Sequence, residues 1–171
     1  RAADIAGVSH SISLGGVLSG SGGLTKTGGG LLTLSGPNTY TGTTTIDAGN
    51  NNIYLPYLLN DFQGPVNLTS TQAALYPEVA DANHLQLGTI NINANVGLFV
   101  STGGASAFGP PTTGHLTQAS PITTGQIRVT TYGPGSDIIL NQANQLDGIV
   151  GVAFDLQNNA GSGGSWRNVS L

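Results

Sequence analysis

The chain has 171 residues, 27 of them Gly, with charged residues at only 7% and hydrophobic residues at 38%. Gly is more than twice its usual ~7%, and charge falls far below the usual ~25%. Arg1, Lys26, Arg128 and Arg167 are the only basic side chains besides three His, and the net charge is −4. That excludes a basic surface for phosphates, and with it nucleic acid and acidic membrane surfaces as partners.

Apolar residues are too many, and charges too few, for an ordinary disordered chain. Thr, Asn, Ser and Gly mixed with β-branched apolars fit extended strands joined by tight turns. No run reaches the ~18 apolar residues of a membrane helix. Cys is absent, which fits either a reducing compartment or an exported bacterial protein. With Arg at position 1 and no signal peptide in view, the chain reads as a piece of something longer.

In chain order, residues 1–16, with Ile12 and Leu14 in alternation, read as an incoming coil. Val17 to Gly49 is the most regular stretch, with alternating Leu32, Leu34 and Thr44, Ile46 between Gly clusters. Residues 50–59 read as a wider segment, with Pro56 marking a bulge or an edge. Strands are predicted again over 62–76, through Val66, Leu68, Ala73 and Leu75. Pro77 to Asn83 reads as a loop or a single helical turn. Leu85, Leu87, Ile90, Ile92, Val96, Leu98 and Val100 alternate as inward positions. Residues 101–121 carry Pro110-Pro111 and read as a protruding loop; strands return at 122–131 and 137–155, and 157–165 read as a turn or terminal segment before Trp166.

Repeats give the architecture. A corner of the form Asn-x-aromatic/Leu-x-Gly occurs at Asn38-Thr-Tyr40-Thr-Gly42, Asn60-Asp-Phe62-Gln-Gly64 and Asn144-Gln-Leu146-Asp-Gly148. The first two are 22 residues apart; the third lies 84 further on, close to four periods of about 21. Leu32 to Asn38 also parallels Ile138 to Asn144, and Gly97 to Thr102 parallels the stretch from Gly125 at 28 to 29 residues, as if one period had gained a few residues. A period of 20 to 25 residues with strand-like alternation predicts an all-β fold, a parallel β-solenoid. About eight coils spaced by ~4.8 Å would make a rod ~40 Å long, with Asn side chains laddered at the corners.

The stretch from Gly23 to Gly49 resembles the autotransporter-associated β-strand repeat: Gly23-Leu24-Thr-Lys26-Thr-Gly28, then Leu32-Thr-Leu34-Ser-Gly36-Pro-Asn38-Thr-Tyr40-Thr-Gly42, then Thr44-Thr-Ile46. More loosely, Asn60 to Val66 and Asp81 to Gly88 are similar to filamentous-haemagglutinin-like exoproteins. The resemblance implies a right-handed parallel β-helix, exported through an outer-membrane barrel and displayed on a bacterial surface or secreted, often as an adhesin. It brings no fixed catalytic residues.

Candidate chemistry is sparse. Glu78, Asp81 and His84 form an acid-rich cluster whose residue types suit a metal or acid–base catalysis, but a solvated loop is the better reading because nothing completes a site. Gly133-Pro-Gly135-Ser-Asp137 is half of a calcium-binding nonapeptide in a single copy, read as a turn entering a strand. His10 and His115 read as surface residues without acidic neighbours, and Lys26 as a solvated turn position. Tyr54, Tyr57, Phe62 and Tyr76 could stack sugar rings on one face, but filling a widened core is preferred.

The expectation is one β-helical segment spanning 1–171, with regular coils at 1–49, degenerate coils at 50–156 carrying loops near 76–84 and 101–121, and a terminal segment at 157–171. It predicts no enzyme, no catalytic residues, no metal and no cofactor. The expected role is a rigid rod displaying loops to a receptor or glycan on host or bacterial cells. A transporter barrel would be its export partner, and cut coil edges would favour end-to-end self-association. The alternative is a polysaccharide-binding or polysaccharide-cleaving β-helix, and a pure spacer is the third reading. A cleaving enzyme needs grouped carboxylates, whereas the eight acids are spread over the whole chain.

Overall fold

The computed structural model describes residues 8–93, 95–103, 113–146, 154–158 and 166–170. These contain fifteen strands and, among the described residues, no helix. Every pairing between the strands is parallel.

Apart from β10 and β11, which both pair with β8, successive strands along the chain fall in different sheets. β1 (Ile12–Leu14) pairs β3 (Leu32–Leu34) in a two-stranded sheet. An eight-stranded sheet runs β15 (Trp166–Ser170), β13 (Ser136–Ile139), β10 (His115–Gln118), β8 (His84–Ile92), β6 (Val66–Ser70), β4 (Thr44–Asp47) and β2 (Leu24–Thr27), with β11 (Ile122–Thr123) also on β8. A five-stranded sheet runs β14 (Phe154–Asn158), β12 (Gln126–Thr131), β9 (Gly97–Thr102), β7 (Glu78–Asp81) and β5 (Tyr54–Leu55). Each strand therefore pairs with one about a period away rather than with its chain neighbour, a pattern compatible with a β-solenoid.

Period-2 alternation builds the core between the sheets. Leu34, Leu55, Val66, Leu68, Val79, Leu85, Leu87, Leu98, Leu116, Ile127, Val129 and Ile138 are essentially without solvent exposure. The alternation expected from Leu85 to Val100 holds, with one irregularity. β6 pairs Val66 with Leu87 but Leu68 with Ile90, so β8 carries an extra residue at Gly88 and Thr89. A Cβ on Gly88 would lie 2.1 Å from Asn67 Oδ1, the same oxygen that accepts the Thr89 N–H at 2.7 Å. Gly is what allows the bulge to close on Asn67.

One corner is built from the repeat. Asn38 Nδ2 donates to Asn60 Oδ1 at 2.7 Å, the Tyr40 and Phe62 rings meet edge-on at 6.1 Å, and Gly42 lies against Gly64. All three motif positions thus stack on their counterparts, as the 22-residue spacing requires. Backbone bonds carry the corner upward: Asp61 N–H to Asn38 O, Ala82 N–H to Asn60 O, Gly103 N–H to Asp81 O, and Tyr132 N–H to Thr102 O, at 2.6 to 3.0 Å. The corner column is therefore Asn38, Asn60, Asp81, Thr102 and Thr131, every one of them fully buried.

Several sequence expectations change. Asn144 does not continue this column. It follows β13, where its Oδ1 accepts from Ile122 N–H and its Nδ2 donates to Leu140 O, both at 2.9 Å. The parallel between Leu32–Asn38 and Ile138–Asn144 fails with it, since β3 and β13 belong to different sheets. The reason is a lengthened level: β9 pairs β12 in a register of 29 residues, Leu98 opposite Ile127, so a uniform period of 21 loses phase. That same register is the one anticipated from Gly97 and Gly125.

The loop expected near 76–84 is largely strand, since β7 occupies 78–81 and β8 begins at 84. The loop expected at 101–121 is narrower, since β9 runs to Thr102 and His115–Gln118 is β10; residues 104–112 lie outside the described residues. Conversely, Ala73 and Leu75 are exposed and not in a strand. At the terminal end β14 and β15 extend the two larger sheets, so Gln157 and Asn158 are strand; residues 159–165 and the side chains of Trp166 and Arg167 lie outside what is described. Pro56 follows β5, the edge strand of its sheet, as its ring requires.

Candidate functional site

The acid-rich trio is taken apart by the fold. Glu78 faces outward from β7, His84 faces outward from β8, and Asp81 points into the corner column. Asp81 is not solvated. Its Oδ2 accepts the Phe62 N–H at 2.7 Å and its Oδ1 the Asn83 N–H at 2.8 Å. Burial pushes its carboxyl up to about 7, against the lowering effect of those backbone donors, with Asp61 adding repulsion. Thr102, next above it, holds a buried hydroxyl with no hydrogen-bond partner among the described residues. Asp81 is thus a structural group on the interior side.

Lys26 is likewise corrected. It lies within β2, is buried, and donates to Gly28 O at 2.5 Å. Burial lowers its pKa, and Asp47 partly restores it. The reading as a solvated turn fails because Lys26 takes the inward position paired with Ile46.

Two outward features concentrate side-chain chemistry. The first is on the eight-stranded sheet. Register places His115 opposite His84, with ring centroids 6.0 Å apart. His115 Nδ1 accepts the Asp137 N–H at 3.2 Å and stands 3.3 Å from Asp137 Oδ2. His115 therefore has an acidic neighbour, contrary to expectation. His84 Nε2 lies 3.2 Å from Thr117 Oγ1, and its pKa is lowered by burial and by His115. These residues line a shallow hollow of about 360 Å³. Among the described residues, no group of three or more His, Cys, Asp or Glu is placed to hold a metal. Gly133 to Asp137 forms the expected turn into β13, with Gly133 and Gly135 at positive φ and Ser136 Oγ donating back to Gly133 O at 3.1 Å.

The second feature is on the five-stranded sheet. Strand pairing sets Tyr54 opposite Glu78, Glu78 opposite Phe99, and Phe99 opposite Arg128. Tyr76 stacks flat on Phe99, with centroids 4.9 Å apart and planes within 6°, and the Arg128 guanidinium sits 5.7 Å from the Phe99 centroid. A cleft of about 210 Å³ lies along this column, lined by Glu78, Phe99, Ser101, Arg128, Thr130 and Gln157 among others. Burial raises the Glu78 carboxyl above its ordinary range. The aromatics expected to fill a widened core do so only at Phe62. Tyr54, Tyr57 and Tyr76 are 43%, 39% and 45% exposed. Tyr54 stands next to inward-facing Leu55, and strand parity turns it out.

The comparison with known families bears on the regular stretch of β2 to β4. Residues 24–50 match the passenger-associated-transport-repeat. The passenger repeat thus covers β2, β3, β4 and the Asn38 corner, the part that the sequence resemblance singled out. No curated protein and no solved structure matches the chain. The passenger repeat contains neither outward feature; both lie beyond it, on strands that stack over it.

Proposed function

We propose that the chain is a structural and adhesive segment of a bacterial exoprotein, exported as an autotransporter passenger and carried on the cell surface or released. It forms a right-handed parallel β-helix. Seven strands follow one another in the larger sheet among the described residues, β2 to β15, one level fewer than the eight expected from the period. At ~4.8 Å per strand they span ~29 Å.

The observation that carries the reading is the passenger repeat at 24–50, whose corner residues Asn38, Tyr40 and Gly42 stack on a second copy. Low charge and the absence of Cys support export, because an unfolded chain of this kind can thread a pore and then fold level by level. A role as an enzyme is disfavoured. The eight acids are spread over the whole chain rather than grouped, and among the described residues Glu78 is the one acid lining the cleft, where glycoside cleavage uses a pair of carboxyl groups.

Fusion of the chain to an outer-membrane export barrel tests the proposal. The expected result is display of a protease-resistant segment on intact cells that makes those cells adhere to host or bacterial partners. A segment that folds and remains in the periplasm would overturn the export reading, and display without any gain in adhesion would leave a spacer. Deleting 101–121 is a poor test of an adhesive loop, since it removes β10 and the end of β9 from their sheets.

A further inference from the structure

We infer that the cleft along Glu78, Phe99 and Arg128 is a subsite for one ring of a neutral glycan. The inference rests on the adhesive reading and names the chemistry that would carry it.

A sugar ring offers two kinds of surface: an apolar C–H face and a rim of hydroxyls that both donate and accept. The cleft offers the counterparts of both. Tyr76 lies flat on one face of the Phe99 ring and the Arg128 guanidinium stands over that ring at 5.7 Å, so the aromatic surface open to a sugar is that of Tyr76, 45% exposed and held by the stack with little freedom left to lose. Glu78 supplies carboxylate acceptors on one side of Phe99, and Arg128 supplies guanidinium donors on the other. Ser101, Thr130 and Gln157 add hydroxyl and amide groups that can take either role. At about 210 Å³ the cleft is smaller than the ~300 Å³ and upward of a drug-sized pocket, which suits one ring and not a larger ligand. Exposed Tyr54, one level below Glu78, extends the same column and provides a second ring surface for the next sugar.

Charge selects among ligands. Glu78 lines the cleft two strand spacings from Arg128, and the chain as a whole carries −4. An uncharged polyol fits there better than a polyuronate, whose repeated carboxylates would meet Glu78 and the net negative chain. A protein partner would call for an apolar, desolvated centre within an interface of ~1,200 Å² or more. Here the residues around the rings are Ser, Thr and Gln.

The test is calorimetric titration of the intact chain with neutral hexasaccharides (β-glucan, α-glucan, galactan and chitin series) and with oligogalacturonate as the charged comparison. At least one neutral series should bind. Tyr76→Ala, Phe99→Ala and Arg128→Gln should each weaken it about tenfold or more with the circular-dichroism spectrum unchanged, while Tyr57→Ala, exposed outside the cleft, should leave it as it was. Binding of none of the neutral series overturns the inference. So does binding that survives all three cleft variants, and so does binding of oligogalacturonate alone. A chain that displays as a protease-resistant, adhesive rod on cells yet binds no neutral oligosaccharide refutes the subsite and leaves the rod reading standing.

Discussion

Stability should fall as pH rises from about 4 to about 7, and Asp81 should account for most of that fall. The carboxyl is completely buried in the corner column, and its pKa rises from 3.8 to about 7 on folding. Between these values the folded chain holds a proton that the unfolded chain has released. Stability then decreases with pH across that window and is level above it. Three units at ~1.4 kcal/mol each make the loss on the order of 4 kcal/mol. His84 acts in the opposite direction just below its ordinary value, because its folded pKa is lowered, whereas Glu78 acts in the same direction as Asp81. The comparison that isolates Asp81 is therefore the urea midpoint of the wild type against Asp81→Asn, at pH 4.5 and pH 7.5. The wild type should lose stability between the two and the variant should lose much less. Equal slopes in both proteins would show that Asp81 is ionised or unperturbed in the fold.

Asn60→Ala should cost about 2–4 kcal/mol, mainly because the buried Asn38 amide and the Leu34 carbonyl lose Asn60 as a partner, whereas Tyr57 O keeps the Asn60 backbone N–H. Asn60 Oδ1 accepts from Asn38 Nδ2, and its Nδ2 donates to Tyr57 O at 3.1 Å and Leu34 O at 3.4 Å, all in a position with no exposure. Asn60→Asp keeps the shape and is expected to be no better than Ala, because a carboxylate oxygen would face the two carbonyls that now receive an N–H. The Asn144 side chain makes four bonds to the three of Asn60 but is only half-buried, so Asn144→Ala should cost clearly less, about 1–2 kcal/mol. Thermal or urea unfolding of the four proteins checks the order. If Asn144→Ala proves the costlier, the buried corner is not where the stack is held.

What could be read from the sequence was whatever nearest neighbours share. Asn38 and Asn60 are 22 residues apart and bonded; Leu98 and Ile127 are 29 apart and paired. In each case a repeated spacing is the register itself. Asn144 shows the limit. A period of 21 counted across the lengthened level at 102–131 arrives at the wrong corner, because insertions shift phase without disturbing either flanking strand. β7 was hidden for another reason. Pro77-Glu-Val-Ala-Asp81 looks like a polar turn, yet Asp81 faces inward, where backbone N–H groups from Phe62 and Asn83 satisfy it. Both outward features were invisible because they are columns across strands. His84, His115 and Asp137 are 31 and 22 residues apart, and only the pairing of β8, β10 and β13 makes them neighbours. Tyr76 and Phe99 meet in the same way, across β7.

Strands β2, β4, β6, β8, β10 and β13 follow one another as one continuous parallel stack. The chain has no Cys, so pairs of spin labels can be placed without removing any residue first. Cysteines at Thr25 and Ile139 would sit on the outward face of β2 and β13, five strand pairings apart through β4, β6, β8 and β10. Double electron–electron resonance should give a single narrow distribution centred near ~24 Å, widened only by the label arms. A broad distribution, or a centre beyond ~40 Å, would contradict a stack with one strand per level.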